Sequence, residues 1–237
     1  MKTSIAEVYQ GSMTFNRNLL IFGLILLMSF TMINPKPTRI IFFGDSITEM
    51  GVGKDGYITM IGKSLEEKGL SQDYDLIGSG IGGNKIYDLY LRLEEDVLAK
   101  NPDVVVIFVG VNDVWHKAWG TGTDEDKFAR FYTEVIQKIK AKGAKIILCT
   151  PAVIGEKTDF SNPQDGDLNQ YSEIIRNMAK ENNCQLCDLR KLFLAYSIEH
   201  NTENKSQGIL TTDRVHLNNK GNKLVADALL EQIQGKQ

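Results

Sequence analysis

The sequence predicts a three-layer α/β/α domain built on a parallel sheet. Short apolar runs rich in β-branched residues alternate with amphipathic segments of helical spacing along the chain beyond Pro37. One of these runs, Val104–Val109 (VVVIFV), is apolar at every position. Alternation of this kind is the pattern of βαβ crossovers, and a strand covered on both faces loses the polar alternation of a half-exposed one. Residues able to do chemistry also fall directly after the runs, at the carboxyl ends of strands where open α/β sheets hold ligands.

The strand candidates, in order, are Arg39–Phe43, Tyr74–Gly78, Val104–Val109, Lys145–Thr150 and Gln185–Leu189. The helix candidates between them are Tyr57–Lys68, Ile86–Lys100, Asp124–Lys142 and Leu168–Asn182. In the third of these, Phe128, Tyr132, Val135, Ile136 and Ile139 recur at helical spacing with Lys and Glu between, which places one apolar stripe against a sheet. A last helix, Asn219–Ile233, follows an Asn-rich turn. No internal repeat or low-complexity segment interrupts the series.

Composition narrows the function. In 237 residues the net charge is -3, with Lys and Arg scattered among acids, so no basic excess exists to neutralise phosphates, which argues against a nucleic-acid partner. Residues 1–34 read as a signal peptide or an N-terminal membrane anchor. Arg17 precedes Leu19–Ile33 (LLIFGLILLMSFTMI), which holds no charge and is shorter than the roughly 20 residues of a spanning helix. The expected location is therefore secreted or periplasmic, with the membrane reached only through that segment. Pro35-Lys36-Pro37 is a stiff entry to the domain, taken as residues 35–237. Three cysteines, Cys149, Cys184 and Cys187, cannot all pair within one chain, and a lone C-x-x-C without a second pair is no zinc site.

Four segments lie where the sheet would present them. Gly44-Asp45-Ser46 follows the first strand and offers a serine on a tight turn leading toward a helix. Gly80-Ile81-Gly82-Gly83-Asn84 follows the second, where glycine lets backbone N–H groups approach a substrate oxygen. Gly110-Val111-Asn112-Asp113 follows the third, and the Asn112 amide is a suitable oxyanion donor. Asp213-Arg214-Val215-His216 precedes the last helix; a serine alcohol needs an adjacent base, and a carboxylate can fix the tautomer of that base. Each has a plainer reading: a capping turn, a flexible glycine turn, an Asx-turn, an exposed histidine. Asp113-Val114-Trp115-His116 is a second Asp-x-x-His, so His116 competes with His216 as base, or lines the pocket with Trp115 and Trp119. His200 reads as a surface residue.

Together and in this order the four segments resemble the blocks of the GDSL/SGNH hydrolase family. The resemblance covers nearly everything from Arg39 onward and implies a flavodoxin-like, five-stranded parallel sheet. It implies a triad in which Ser46 is the nucleophile, His216 the base and Asp213 its orienter. The oxyanion hole would be the N–H groups of Ser46 and Gly83 with the Asn112 side chain; Gly82 is the alternative to Gly83, because Gly82-Gly83-Asn84 departs from the commoner Ser-Gly of that block. The activity implied is ester hydrolysis through an acyl-enzyme, with no metal and no cofactor. The expected substrate is a short acyl ester, an O-acetyl group on a carbohydrate. Lysophospholipid or thioester cleavage, and a non-catalytic carbohydrate-binding module, are the alternatives. A mononucleotide binder is disfavoured by the negative charge of Asp45 after the first strand. Oligomeric state is not legible.

Overall fold

A computed structural model describes residues 36–235. The leader assigned to residues 1–34 lies outside the described residues. From Pro37 onward the described residues form one compact unit. Its strands are β1 (Thr38–Gly44), β2 (Tyr74–Gly80), β3 (Val104–Phe108), β4 (Lys145–Cys149) and β5 (Gln185–Cys187). They form a five-stranded sheet in the order β2-β1-β3-β4-β5, parallel at every pairing. This is the flavodoxin-like order, whose topological switch point lies between β1 and β3. Ile40–Phe43 of β1 and Val105–Phe108 of β3 are buried on both faces, which explains why these runs read as continuously apolar.

The helices are α1 (Ser46–Gly51), α2 (Tyr57–Glu67), α3 (Ile86–Asp96), α4 (Val111–Trp115), α5 (Glu125–Ala141), α6 (Asp165–Glu181), α7 (Leu189–His200) and α8 (Asn219–Ile233). Helix α2 packs on α8, and α3 packs on α5 with α6 beside it. The stripe expected of α5, from Phe128 to Ile139, is buried as a whole. Asn218 caps α8 by accepting from Lys220 N at 2.9 Å and Gly221 N at 3.1 Å. One turn on, Asn222 Oδ1 accepts from Tyr57 N at 3.0 Å and joins the layer's two helices.

Three differences from expectation stand out. The last strand ends at Cys187 and not at Leu189, because Asp188 accepts from Lys191 N at 3.2 Å and starts α7. Helix α7 was not expected; Leu189 and Phe193 are buried in it while Leu192 and Ile198 face out, so no single apolar stripe announces it. Helix α6 also begins earlier than Leu168, at Asp165, with an acidic first turn that suits the helix dipole.

Candidate active site

Strand β1 delivers the serine. It ends at Gly44, and Asp45 caps α1 by accepting from Ile47 N at 3.0 Å, so Ser46 is the first residue of that helix. The turn is pressed against the end of β2: a Cβ on Gly80 would lie 2.0 Å from Glu49 N, a position open only to glycine. Asp45 is 1 % exposed, and burial pushes its carboxyl up to about 7. Asp113, on α4, is also fully buried and is pushed up to about 6 for the same reason, while accepting from Ile86 N at 3.2 Å.

The loop before α8 delivers the histidine. Ser46 Oγ lies 2.9 Å from His216 Nε2, and His216 Nδ1 lies 2.6 Å from Asp213 Oδ2. Asp213 Oδ1 accepts from His216 N at 2.8 Å and Val215 N at 3.1 Å, so one carboxylate both folds the loop and holds the ring. Burial pushes Asp213 up, but the hydrogen bonds from His216 and Val215 outweigh it and leave the group below the usual carboxylate range. With Asp213 as acceptor at Nδ1, the proton belongs there and Nε2 turns its lone pair to the serine.

That loop is bent and then pinned. Arg214 takes φ 83°, a left-handed conformation costing a non-glycine residue roughly 1–3 kcal/mol, and its carbonyl accepts from Gly155 N at 2.8 Å. Beside it, the buried carboxylate of Glu156 accepts three backbone N–H groups. Oε1 takes Leu210 N at 2.6 Å and Thr211 N at 2.7 Å, and Oε2 takes Ile209 N at 2.8 Å. The connection after β4 therefore clamps the segment leading into Asp213.

The loop after β2 supplies amides. Among the described residues the N–H groups of Ser46, Gly82 and Gly83 have no protein acceptor, whereas Ile81 N donates to Gly44 O and Asn84 N to Ile81 O. Gly83 has φ 76° and open space around its Cα; a Cβ on Gly82 would lie 4.0 Å from Ser46 Cβ. Asn112, 2 % exposed on α4, gives one amide hydrogen to Asn84 O at 3.1 Å and keeps a second for another acceptor. Lys85 Nζ, at 3.3 Å, holds the carbonyl of Gly83.

An aromatic cluster closes one side. The Trp115 ring meets His216 edge-on at 6.3 Å and Trp119 at 5.5 Å, and His116 lies 5.0 Å from Trp119. Trp119 is 60 % exposed. No hydrogen bond joins His116 to Ser46 or Asp113 among the described residues, and burial together with Lys85 lowers its pKa. The two Asp-x-x-His segments thus differ: His216 reaches the serine and His116 lies in the aromatic wall. His200 is on the surface, stacked on Tyr196. Among the described residues no group of His, Cys, Asp and Glu could hold a metal ion, and the cysteines are free thiols.

Two residues at this site were passed over in the sequence. Arg92 stands four residues before Asp96 on an amphipathic helix and reads as a surface ion pair, yet its side chain is 14 % exposed and turned toward the site. Glu156 follows β4, so the rule that places reactive groups after strands could have found it; no motif marks it.

The arrangement sets a serine hydroxyl against an imidazole, near N–H donors that have no protein acceptor among the described residues, and such a set suits addition to an ester carbonyl. A family model for the GDSL-like lipase/acylhydrolase family matches residues 42–224. The chain is similar to an acetylxylan esterase of Geobacillus stearothermophilus, 28% identical over 212 residues, 82% of this chain and 93% of that protein. The crystal structure of the acetyl xylan esterase AlAXEase is 64% identical and superposes with a TM-score of 0.81, covering 82% of this chain and 99% of that one. The crystal structure of Axe2, an acetylxylan esterase from Geobacillus stearothermophilus, is 26% identical with a TM-score of 0.72, covering 83% and 94%.

Proposed function

The chain belongs to the GDSL-like lipase/acylhydrolase family, and we propose that it removes O-acetyl groups from xylan or xylooligosaccharides by way of a Ser46 acyl-enzyme. It is a carboxylic ester hydrolase. The observation that carries the reading is the file of atoms from Ser46 Oγ through His216 to Asp213, at 2.9 Å and 2.6 Å, beside amides with no protein acceptor among the described residues.

In this reading His216 Nε2 takes the serine proton as Oγ attacks the acetyl carbonyl. Asp213 steadies the imidazolium that forms. The negative oxygen of the tetrahedral intermediate is received by the N–H groups of Ser46 and Gly83 and by Asn112 Nδ2; Gly82 stands next to Gly83 as the alternative donor. His216 returns its proton to the sugar oxygen as the C–O bond breaks. Water activated by the same imidazole then adds to the acetyl-enzyme and releases acetate. Trp119, with Trp115 and His116, offers an apolar face to the pyranose next to the acetyl group, as aromatic rings do for the C–H faces of sugars. The homology to acetylxylan esterases supports this substrate class. A polymeric substrate is met outside the cytoplasm, which agrees with reading Leu19–Ile33 as an export segment.

The test is labelling of the full chain by a fluorophosphonate, alongside turnover of p-nitrophenyl acetate and acetylated xylooligosaccharides. Ser46→Ala and His216→Ala are expected to lose both labelling and turnover, and His116→Ala to keep labelling. A folded wild-type protein that neither labels nor releases acetate would refute the reading.

A further inference from the structure

We propose that Arg92 is a positioning residue for the oxyanion hole, locking the serine turn, the glycine loop and Asn112 at one fixed spacing. The inference rests on the acyl-enzyme reading above. Arg92 projects from α3 under the carboxyl ends of β1 and β2, and all five of its N–H groups are used. Nη2 donates to Gly44 O at 2.7 Å and Ser79 O at 3.1 Å. Nη1 donates to Ser79 Oγ at 3.1 Å and Asp96 Oδ2 at 2.6 Å, and Nε to Asn84 Oδ1 at 2.7 Å. The guanidinium lies over the Phe43 ring, 4.5 Å from its centroid.

These partners are the ends of the segments that build the site. Gly44 leads through Asp45 into Ser46. Ser79 leads into the loop of Gly82 and Gly83. Asn84 closes that loop, and its own carbonyl takes the Asn112 amide at 3.1 Å. A connected path therefore runs from Asp96 through Arg92 and Asn84 to Asn112, with none of the intermediate groups expected to touch substrate. A planar fork can serve both strand ends and Asn84 at once; an ammonium on a flexible stem cannot hold these directions together. The donors matter most where negative charge develops, in the transition state, so loosening them should reduce turnover and leave ground-state binding almost unchanged.

The experiment compares Arg92→Met, Arg92→Lys, Asn84→Ala, Asn112→Ala and the double variant Arg92→Met/Asn112→Ala in the full chain. Active sites are titrated with a fluorophosphonate and kcat and KM measured on an acetyl ester. Arg92→Met should lower kcat per titrated site at least about tenfold with KM within about twofold, and Arg92→Lys should restore only part of it. The double variant should lose less than the product of the two single losses, because the share of the Arg92 effect that runs through Asn84 to Asn112 is already gone while its hold on Gly44 and Ser79 is not. Losses that multiply, or a kcat per site equal to wild type, would overturn the role and leave Arg92 a packing residue. If Arg92→Met does not fold, Asn84→Ala decides: a loss confined to kcat supports the path, and an unchanged kcat ends it. Wild type that titrates at Ser46 while the variants turn over normally removes only this inference; wild type that does not titrate removes the esterase reading itself.

Discussion

Glu156→Gln is the substitution whose cost the structure defines most closely. The change is nearly isosteric, but it exchanges one carboxylate oxygen for an NH2 group that cannot accept. With the carbonyl placed at the Oε1 position, Leu210 N and Thr211 N keep an acceptor, now neutral, and Ile209 N faces a donor. Losing one charge-assisted bond costs about 1.5–3 kcal/mol, and weakening the other two adds about 1 kcal/mol, roughly 3 kcal/mol together. For a domain of this size that corresponds to a fall in Tm of about 6–12 °C. The segment that loosens leads into Asp213 and His216, so kcat should also fall at 25 °C, well below the transition. Thermal unfolding by circular dichroism and ester turnover on the same samples measure both. A Tm within about 2 °C of wild type, with kcat unchanged, would refute the claim that Glu156 clamps the catalytic loop.

Other expectations follow from burial and exposure. Asp45 has its folded pKa raised by burial to about 7, so between its ordinary value and about 7 the folded state holds a proton that the unfolded chain has lost. Stability contributed by the neutral acid therefore falls as pH rises through that window, by up to about 4 kcal/mol in all. Urea midpoints at pH 5 and 7.5 should fall less for Asp45→Asn than for wild type, and equal slopes would refute this. Trp119→Ala should raise KM for acetylated xylooligosaccharides about fivefold, the equivalent of roughly 1 kcal/mol of aromatic contact, with p-nitrophenyl acetate unaffected. Equal effects on both substrates would mean that Trp119 only packs its loop.

What was legible in the sequence had a local or periodic cause. Val104–Val109 advertised a covered strand because Val105–Phe108 are buried on both faces, and the α5 stripe advertised itself because one face is. Ser46, Asn112 and His216 stood out as candidates because each lies at a turn whose chemistry is written in adjacent residues, and Ser46 and His216 come within 2.9 Å of each other. Helix α7 was hidden, since its apolar residues point both into the core and out of it. Arg92 and Glu156 were hidden for another reason. The contact that ties Arg92 to the serine turn spans 48 residues of chain and those of Glu156 span 53–55, and no spacing rule for side chains reaches so far. The choice between two Asp-x-x-His segments was of the same kind, because it turned on a contact across 170 residues.

That last separation has a consequence for how the enzyme fails. His216 and Asp213 belong to a single short segment and stay paired wherever it goes, but Ser46 meets them only when the C-terminal stretch is seated. That stretch is held by hydrogen bonds to the connection after β4 and by burial of Leu210 and Val215, and it lies outside the sheet ladder. Opening of that stretch is a sub-global event, lower in free energy than melting the central strands. Mild denaturant should therefore silence turnover while β1 and β3 amides still resist hydrogen exchange, making catalysis a more sensitive reporter of native structure than the sheet that carries Ser46.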